Sequence, residues 1–380
     1  MLREITGALS TELRSIEPRS RRGTDAAAAA LSVALATLAA LFLHSDEPWW
    51  AAISAWMVTR SSLPAALSRG VMRIIGSTAG AAVAVIILGL FAYDPLPFCL
   101  CLFILAWVGL FGFAKSRHGY AWLISAITGN LVMLIALDQP QTAFTTAVNR
   151  VADVTIGTMA ALLVTYLLPA LPDAPNSAAA SAPSALPLMF WSRRHAREFE
   201  RWLRENWPPI LHACRGGLTV MLLPLLMNWL VPLGSSTMAV TAVAVMAVPT
   251  TAIIEPDART VVQRSVYRLV GCGLGALLGL FCLLWVGSNF PVWLLLLMAG
   301  VWLDSQIQSG STGIGYVGTQ AGLAFLLSMI QGQGPPLSPI PGIDRFAGIM
   351  AGLSLLLVIT MVISLFRLAP PPPVAPVRDS

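Results

Sequence analysis

Charged residues are scarce in this chain. Only 11% of its 380 residues are Asp, Glu, Lys or Arg, whereas 56% are hydrophobic, and an ordinary soluble domain has about a quarter of its residues charged. So few charges cannot cover a globule of this size, which excludes a soluble protein. Lys115 is the only lysine, and arginine therefore carries the net charge of +5. In a membrane protein such a balance reflects basic inner loops, so we expect no nucleic-acid partner.

Residues that perform chemistry are also few. The four histidines are scattered, and the five cysteines lie inside or at the edges of apolar runs, where cysteine behaves as a small apolar residue. Neither set has the spacing of a metal site. An enzyme needs clustered nucleophiles, metal ligands or paired carboxylates, and ATP hydrolysis needs a G-x-x-x-x-G-K-S/T loop, which the sequence lacks. We therefore expect no enzymatic activity, no cofactor and no metal.

Long apolar runs, in contrast, recur along the chain. A bilayer core of roughly 30 Å needs about 20 apolar residues per helical crossing, and continuous runs favour helices over barrel strands, which alternate apolar and polar residues. Breaking the runs at charges and at Pro/Gly clusters predicts an all-α polytopic membrane protein with about 12 transmembrane helices. The predicted spans are 26–43, 48–67, 72–92, 96–114, 120–137, 147–169, 209–231, 236–254, 266–287, 291–304, 313–330 and 345–368.

Basic residues predict the orientation of these spans. Lys and Arg are in excess in cytoplasmic loops, and with the N-terminus inside only Arg150 and Arg345 fall on the outer side. Both termini are therefore predicted to be cytoplasmic. No cleavable signal peptide is expected, because the first 23 residues are polar and charged. The predicted organisation is a cytoplasmic segment 1–25, a six-helix membrane repeat 26–169, a cytoplasmic linker 170–208, a second six-helix repeat 209–368 and a cytoplasmic tail 369–380.

Two islands of similarity share one offset of 195 positions. In the first, Arg69, Arg73, Gly76, Gly80 and Ala81 recur as Arg264, Arg268, Gly271, Gly275 and Ala276. In the second, Arg150, Ala152 and Gly157 recur as Arg345, Ala347 and Gly352. Two islands in one register indicate an internal repeat. Because each copy has an even number of spans, the copies are predicted to be parallel tandem repeats, with a pseudo-two-fold axis along the membrane normal and a pathway at their interface.

The first island places arginines and glycines on one predicted helix. The spacing of four puts Arg69 and Arg73 on one face at the cytoplasmic end of the third span, and Arg264 and Arg268 repeat this pattern. These arginines either form a basic vestibule that attracts anions or anchor the helices to lipid phosphates. Small residues let helices approach closely. We expect such helix packing at Gly76, Gly80, Gly271 and Gly275.

Ionisable residues inside a membrane are costly and mark candidate functional positions. Arg150 and Arg345 are a repeat-related pair whose planar guanidiniums suit a carboxylate; alternatively, each pairs with a neighbouring aspartate, such as Asp153. Asp153 is also a candidate carrier of a coupling proton. Arg60 and Glu255, related by the same shift, are candidates for a cross-repeat ion pair or a gate. Alternatively, Arg60 reaches to the inner membrane surface.

The segment from Ser305 to Phe325 is unusually polar for a membrane helix. Its sequence, SQIQSGSTGIGYVGTQAGLAF, mixes glutamines, hydroxyl groups and glycines with a tyrosine. Such a helix is expected to face the bundle interior or a wet cavity, unless its small residues only hold helices together. Candidate ligand-binding residues in this segment are Gln306, Gln308, Tyr316, Thr319 and Gln320.

Five segments carry a resemblance to a known family. They are WWAAISAWMV (Trp49–Val58), SRGVMRIIGSTAGA (Ser68–Ala81), QRSVYRLVGCGLGA (Gln263–Ala276), GYVGTQAGLAF (Gly315–Phe325) and IDRFAG (Ile343–Gly348). Together they resemble the fusaric acid resistance and aromatic acid exporter family of bacterial inner-membrane efflux proteins. The resemblance implies export of small aromatic or otherwise amphipathic acids, often with a periplasmic adaptor protein and an outer-membrane channel as partners.

The residues and the resemblance together predict an inner-membrane transporter. Its substrate is expected to be a small organic anion of the fusaric-acid or hydroxybenzoate type, exported at the expense of the proton gradient. An uncoupled organic-anion channel is the alternative, since the six-helix unit also resembles plant malate channels. A non-transporting membrane scaffold is a further alternative. Besides the lipid bilayer, a second copy of the chain is an expected partner, as a homo-oligomer.

Overall fold

A computed structural model describes residues 2–60, 62–137, 140–168, 201–230, 235–247, 258–286, 289–332, 334–336, 338 and 340–366. Within these ranges the regular elements are α-helices and one short 3-10 helix, Pro140–Thr142. The α-helices are α1 Leu2–Arg14, α2 Arg21–Phe42, α3 Trp49–Val58, α4 Leu63–Phe91, α5 Pro95–Lys115, α6 Gly119–Ile135, α7 Ala143–Leu167, α8 Trp207–Leu230, α9 Ser235–Met246, α10 Ala258–Val286, α11 Phe290–Gln308, α12 Gly315–Met329 and α13 Ile340–Leu365.

Eight of these helices, α2, α4, α5, α7, α8, α10, α11 and α13, are long and apolar enough to cross a bilayer. Their outer faces expose large apolar side chains, such as Ile86 and Leu90 on α4 and Leu277 and Leu284 on α10. A soluble protein rarely exposes apolar patches of this extent, whereas lipid covers them without cost. The chain is therefore an all-α polytopic membrane protein, as its apolar runs predict.

Besides α1, four helices are too short to cross a bilayer alone, and these four lie in the middle of the bundle. α3 has 10 residues, α9 has 12, α12 has 15 and α6 has 17. At 1.5 Å per residue, α3 is about 15 Å long, half of a core of roughly 30 Å. A helix can end inside a membrane only where protein or a wet cavity covers its free backbone groups. Interior positions such as Trp56, Leu131, Val243 and Phe325 are accordingly buried.

The predicted span 48–67 is wrong, because the structure has two helices there. α3 ends at Val58, and α4 begins at Leu63. Pro64 explains the break. In the middle of a helix, its ring would clash with the carbonyl group of Arg60 and its nitrogen would have no proton to donate, whereas in the first turn neither effect matters.

Arg60 therefore lies between two helices and not within a span. Its guanidinium donates a hydrogen bond to the carbonyl oxygen of Thr59 (2.5 Å). Glu255, its predicted ion-pair partner, lies outside the described residues, as do most of the linker 170–208 and the tail 369–380.

The predicted end of the tenth span at residue 304 is also wrong, because α11 continues to Gln308. A charge usually marks the end of a membrane span, but Asp304 is buried inside the bundle. Gln306 and Gln308 consequently belong to α11, whereas Tyr316 belongs to α12. The polar segment that the sequence suggests as one helix is divided between two.

The two halves contain helices that correspond in length and in contacts. α4 and α10 both have 29 residues, and α10 begins 195 positions after α4. α4 packs along α6, and α10 packs along α12. Between the halves, α5 packs on α8 and α11 packs on α2. In each half, the helix that follows the 29-residue helix (α5 or α11) therefore packs on the first long helix of the other half (α8 or α2).

Glycines allow α4 to approach α6, and α10 to approach α12. A Cβ atom added to any of four glycines would overlap the backbone of the neighbouring helix. The overlaps are Gly76 with Ala121, Gly80 with Ser125, Gly271 with Val317, and Gly275 with Ala321. These are the positions at which the sequence predicts close helix packing.

The N-terminal helix α1 is held against the rest of the protein by Glu12. The Glu12 side chain is 1% exposed, pairs with Arg22 of α2 (2.6 Å), and accepts a hydrogen bond from the backbone N–H of Thr312 (2.8 Å). Arg22 also donates to the carbonyl oxygen of Gln306 (2.7 Å). Burial alone would raise the pKa of Glu12, but the hydrogen bonds from Thr312 and Arg22 and the Arg22 charge outweigh it, so this pKa lies below its ordinary value.

We expect Gly275→Ala to destabilise the protein, and Gly273→Ala to be nearly neutral. Both residues lie on α10, but a methyl group at 275 overlaps the Ala321 backbone, whereas one at 273 meets nothing within 4 Å. Overpacking typically costs about 1–3 kcal/mol. The purified Gly275→Ala protein should therefore melt at a lower temperature than the Gly273→Ala protein. Equal melting temperatures would show that this helix contact is not close-packed.

We expect the attachment of α1 to weaken in acid. The folded-state pKa of Glu12 lies below its unfolded value, so its contribution to stability is complete above the unfolded pKa and is lost as pH falls through the folded pKa. Hydrogen exchange of α1 amides, corrected for intrinsic rates, should therefore be faster at about pH 4 than at about pH 7.

Two substitutions control this experiment. Glu12→Gln should exchange quickly at both pH values, because its side chain does not titrate. Glu17→Gln changes an exposed residue just after α1 and should keep the wild-type pH dependence. A pH dependence that survives in Glu12→Gln would contradict the assignment to this carboxylate.

Candidate functional site

A cavity of about 540 Å³ lies at the centre of the bundle, between the two halves. Its walls come from α3, α4, α5, α6 and α7 in the first half and from α9, α10, α12 and α13 in the second. All four short helices line it. The ends of these helices therefore adjoin the cavity and do not expose backbone groups to lipid.

The cavity wall is strongly basic. Its charged side chains are six arginines and one glutamate: Arg69, Arg73, Arg150, Arg264, Arg268, Arg345 and Glu47. Most of the remaining wall is apolar or aromatic, including Trp49, Trp50, Phe113, Tyr120 and Tyr316. Low-dielectric surroundings strengthen the attraction between a cation and an anion. The wall therefore suits an amphipathic anion, with arginines for its charge and apolar side chains for its body.

One end of the cavity, here called the tyrosine end, carries two matching arginine–tyrosine pairs. The guanidinium carbon of Arg69 lies 4.3 Å from the ring centroid of Tyr120, and that of Arg264 lies 4.0 Å from the ring centroid of Tyr316. The Tyr120 hydroxyl also accepts a hydrogen bond from Arg73 (2.8 Å). Stacking on a ring orients the planar guanidinium and leaves its edge available for hydrogen bonds.

Arg73 and Arg268 lie one helical turn further along α4 and α10 and are buried. Arg73 donates to the Ser54 hydroxyl oxygen on α3 (3.1 Å), and Arg268 donates to the Thr241 hydroxyl oxygen on α9 (3.1 Å). Arg268 also donates to the Gln320 amide oxygen. Each arginine thus joins a long helix to the short helix of its own half, and neither has a carboxylate partner among the described residues.

The opposite end, here called the tryptophan end, also carries stacked arginines. Arg150 lies over the ring of Trp50 (3.8 Å to its centroid), and Arg345 lies over the ring of Trp49 (4.8 Å). Arg150 is 3% exposed and donates one hydrogen bond to Glu47 (2.8 Å). Its Nε and Nη1 atoms have no partner among the described residues. A buried guanidinium with two free donors is well suited to bind a carboxylate.

Most of the residues that the sequence nominates lie in the cavity wall. These are Arg69, Arg73, Arg150, Arg264, Arg268, Arg345, Tyr316, Thr319 and Gln320. They come from both halves and from regions far apart in the chain, so the fold brings together positions that the sequence nominates for separate reasons.

Three other nominated residues do not line the cavity. Asp153 accepts a hydrogen bond from the Ser45 hydroxyl (2.6 Å), and Arg150 donates to Glu47 rather than to Asp153. Gln308 donates to the Thr319 hydroxyl oxygen (3.1 Å) and so supports the wall from behind. Gln306 is fully buried away from the cavity.

Sequence reasoning missed four wall residues: Glu47, Trp49, Trp50 and Tyr120. A signal for Tyr120 was present, because Gly119-Tyr120 and Gly315-Tyr316 begin corresponding helices. They are 196 positions apart, so a fixed shift of 195 misses the match. Glu47 precedes α3, and its approach to Arg150 depends on packing that has no local sequence pattern.

Comparisons with known proteins agree with this architecture. The profile of the fusaric acid resistance protein family matches residues 26–187. The chain is 27% identical over 150 residues to the uncharacterized transporter YdhK of Escherichia coli K12, and 28% identical over 149 residues to the protein of that name from Salmonella typhimurium LT2. These alignments cover 38% of this chain and 22% of each relative, so the chain matches about a fifth of their length. No solved structure matches significantly.

The profile match covers α2 to α7, and with them the first half of the cavity wall. The names of the relatives point to transport rather than to enzymatic activity. Residues 26–187 therefore resemble the fusaric acid resistance protein family, as the sequence motifs predict.

Proposed function

We propose that this protein exports small aromatic or otherwise amphipathic organic acids, of the fusaric-acid or hydroxybenzoate type, across the bacterial inner membrane, driven by the proton gradient. The observation that carries the proposal is the central cavity, whose wall combines six arginines with aromatic rings and one carboxylate. The body of an aromatic acid fits the apolar wall, and its carboxylate fits the free donors of Arg150.

The arginines mark a path through the bundle. Arg69 and Arg264 attract the anion at the tyrosine end. Arg73 and Arg268 bind it in the middle of the cavity, and Arg150 binds it at the tryptophan end. Conduction requires sites that bind strongly enough for entry but weakly enough for release. Glu47 helps release, because its carboxylate already occupies one donor of Arg150 and competes with the substrate for it.

The proposal includes two parallel six-helix repeats, about twelve crossings and cytoplasmic termini. The equal lengths of α4 and α10 and the matching arginine–tyrosine pairs support a repeat. With this orientation the tyrosine end faces the cytoplasm. The family resemblance further suggests a periplasmic adaptor protein, an outer-membrane channel and a second copy of the chain as partners.

Proteoliposome flux tests the proposed export. Labelled 4-hydroxybenzoate should cross membranes that contain the protein faster than protein-free membranes, and a pH gradient should increase its accumulation. An aromatic amine of similar size should not be transported, because its charge is repelled by the cavity. Arg73→Gln should reduce the flux, whereas Arg117→Gln, at an exposed position, should not. If no acid in a panel of aromatic and other amphipathic acids crosses faster than in protein-free membranes, the proposed function is refuted.

An uncoupled anion channel is the second candidate, because the same basic cavity supports passive conduction. Planar-bilayer recordings distinguish the two. Anion currents that depend on voltage but not on the pH gradient would support the channel and contradict the exporter. A protein with neither flux nor ligand binding would instead be a membrane scaffold.

Arg150→Lys should weaken the binding of an aromatic acid by roughly tenfold or more, because lysine keeps the charge but loses the stack on Trp50 and the guanidinium donors, and a hydrogen bond to a charged group contributes about 1.5–3 kcal/mol. Quenching of tryptophan fluorescence by 4-nitrobenzoate in detergent measures this affinity.

Two further variants complete the experiment: one should increase the affinity, and the other is a control. Glu47→Gln should strengthen binding, because it removes the internal competitor for Arg150. Arg201→Lys, at a side chain 83% exposed, should bind as the wild type does. Equal affinities for Arg150→Lys and the wild type would show that Arg150 does not bind the anion.

A further inference from the structure

Two polar side chains of α11 lie buried outside the cavity wall. Asp304 of α11 is 2% exposed, and its Oδ2 atom has no hydrogen-bond partner among the described residues. Gln306 is 0% exposed, and neither polar atom of its amide has a partner in that part of the chain. An ionised carboxylate left unpaired in such a place costs several kcal/mol. A proton bound to the Asp304 carboxyl group avoids this cost.

In the part of the chain that the structure describes, no arginine forms an ion pair with Asp304. Helices α1, α2, α10 and α12 contact α11. Cys282 is the titratable group that interacts electrostatically with Asp304, and Arg22 is engaged by Glu12 and by the Gln306 carbonyl oxygen. Among residues with described side chains, the charged or titratable ones on these four helices are Arg3, Glu4, Glu12, Arg14, Arg21, Arg22, Asp25, Arg264, Tyr267, Arg268, Cys272, Cys282 and Tyr316. Burial, rather than the charge of any of these residues, is the main influence on the Asp304 carboxyl group.

Asp304 also adjoins a connection to the cavity. The Ser305 hydroxyl oxygen accepts a hydrogen bond from the indole N–H of Trp56 (2.9 Å). Trp56 belongs to α3, and its neighbour Met57 lines the cavity. The Trp56 ring lies against Gly322 of α12, where a Cβ atom would overlap it. Helices α3, α11 and α12 therefore meet at one point beside Asp304.

We propose that Asp304 carries the proton that couples the gradient to transport, which rests on the proposed export function. The carboxyl group binds one proton from one side of the membrane and releases it to the other. Release leaves a carboxylate that must gain water or a counter-charge, so α11 has to move. Ser305 and Trp56 transmit this movement to α3 and thereby to the cavity wall.

Asp304 is a better candidate for this role than Asp153, which the sequence suggests. Asp153 accepts a hydrogen bond from the Ser45 hydroxyl and lies within the field of Arg150. Its ionised form is therefore partly compensated in place, and losing a proton there creates less need for movement. Asp304 lacks both forms of compensation.

Asp304→Asn tests the proposal, because asparagine keeps the size and polarity of the side chain but releases no proton. In proteoliposomes the variant should lose two activities: accumulation of labelled 4-hydroxybenzoate driven by a pH gradient, and proton movement upon substrate addition, reported by a pH-sensitive dye in the lumen. It should retain exchange of labelled for unlabelled substrate, which needs no net proton transfer. Asp94→Asn, at an exposed carboxylate before α5, should retain all three activities.

Each other outcome has a defined meaning. Gradient-driven accumulation by Asp304→Asn at the wild-type rate would overturn the proposal, and so would loss of exchange in a variant with the wild-type melting temperature. If Asp304→Asn does not fold, Asp304→Glu should accumulate substrate with a shifted pH profile, and an unshifted profile would overturn the proposal. If the wild-type protein exchanges substrate but never accumulates it, the proposed proton coupling is wrong, while the proposed transport stands. Wild-type protein without exchange would remove the export function itself.

Discussion

The rest of the structure depends on keeping six guanidinium groups charged inside a membrane protein. Arginine keeps its proton in almost every protein environment, and a charge at membrane depth is costly unless protein groups solvate it. This protein solvates its arginines mainly with rings, hydroxyl groups and carbonyl or amide oxygens, as at Arg69, Arg73 and Arg268. Glu47 is the one carboxylate that the described residues contribute to the cavity wall. The wall therefore keeps a positive charge, which pairing each arginine with an aspartate would have removed.

The short helices follow from the same requirement. A hydroxyl group can reach Arg73 only from a helix that stands close to α4 inside the bundle, and α3 provides Ser54 from there. Because α3 ends at Val58 and the chain turns back at Pro64, α3 occupies the interior without crossing the whole bilayer. The glycines of α4 have a complementary effect, since they let α6 approach closely enough for the Tyr120 hydroxyl to reach Arg73.

The sequence predicts the parts of this arrangement that depend on local pattern. Apolar runs identify the membrane class, and the arginines of the repeat islands turn out to line the cavity, because side chains four residues apart share one face of a helix. The stacking of Arg150 on Trp50 and its bond to Glu47 join residues about a hundred positions apart, and no local pattern encodes such contacts. The break at Pro64 was readable, whereas the extension of α11 past Asp304 was not, since burial of that residue depends on the neighbouring helices α1, α2, α10 and α12.

The two ends of the cavity differ in symmetry, and this difference gives α3 a central place. At the tyrosine end each half supplies its own arginine–tyrosine pair. At the tryptophan end, Arg150 of one half and Arg345 of the other both stack on adjacent tryptophans of α3. The same helix carries Trp56, which is hydrogen-bonded to Ser305. A small rotation of α3 would therefore change the stacking of both arginines at once. The tryptophan end therefore depends on one helix that carries contacts from both halves, whereas the tyrosine end has one arginine–tyrosine pair from each half.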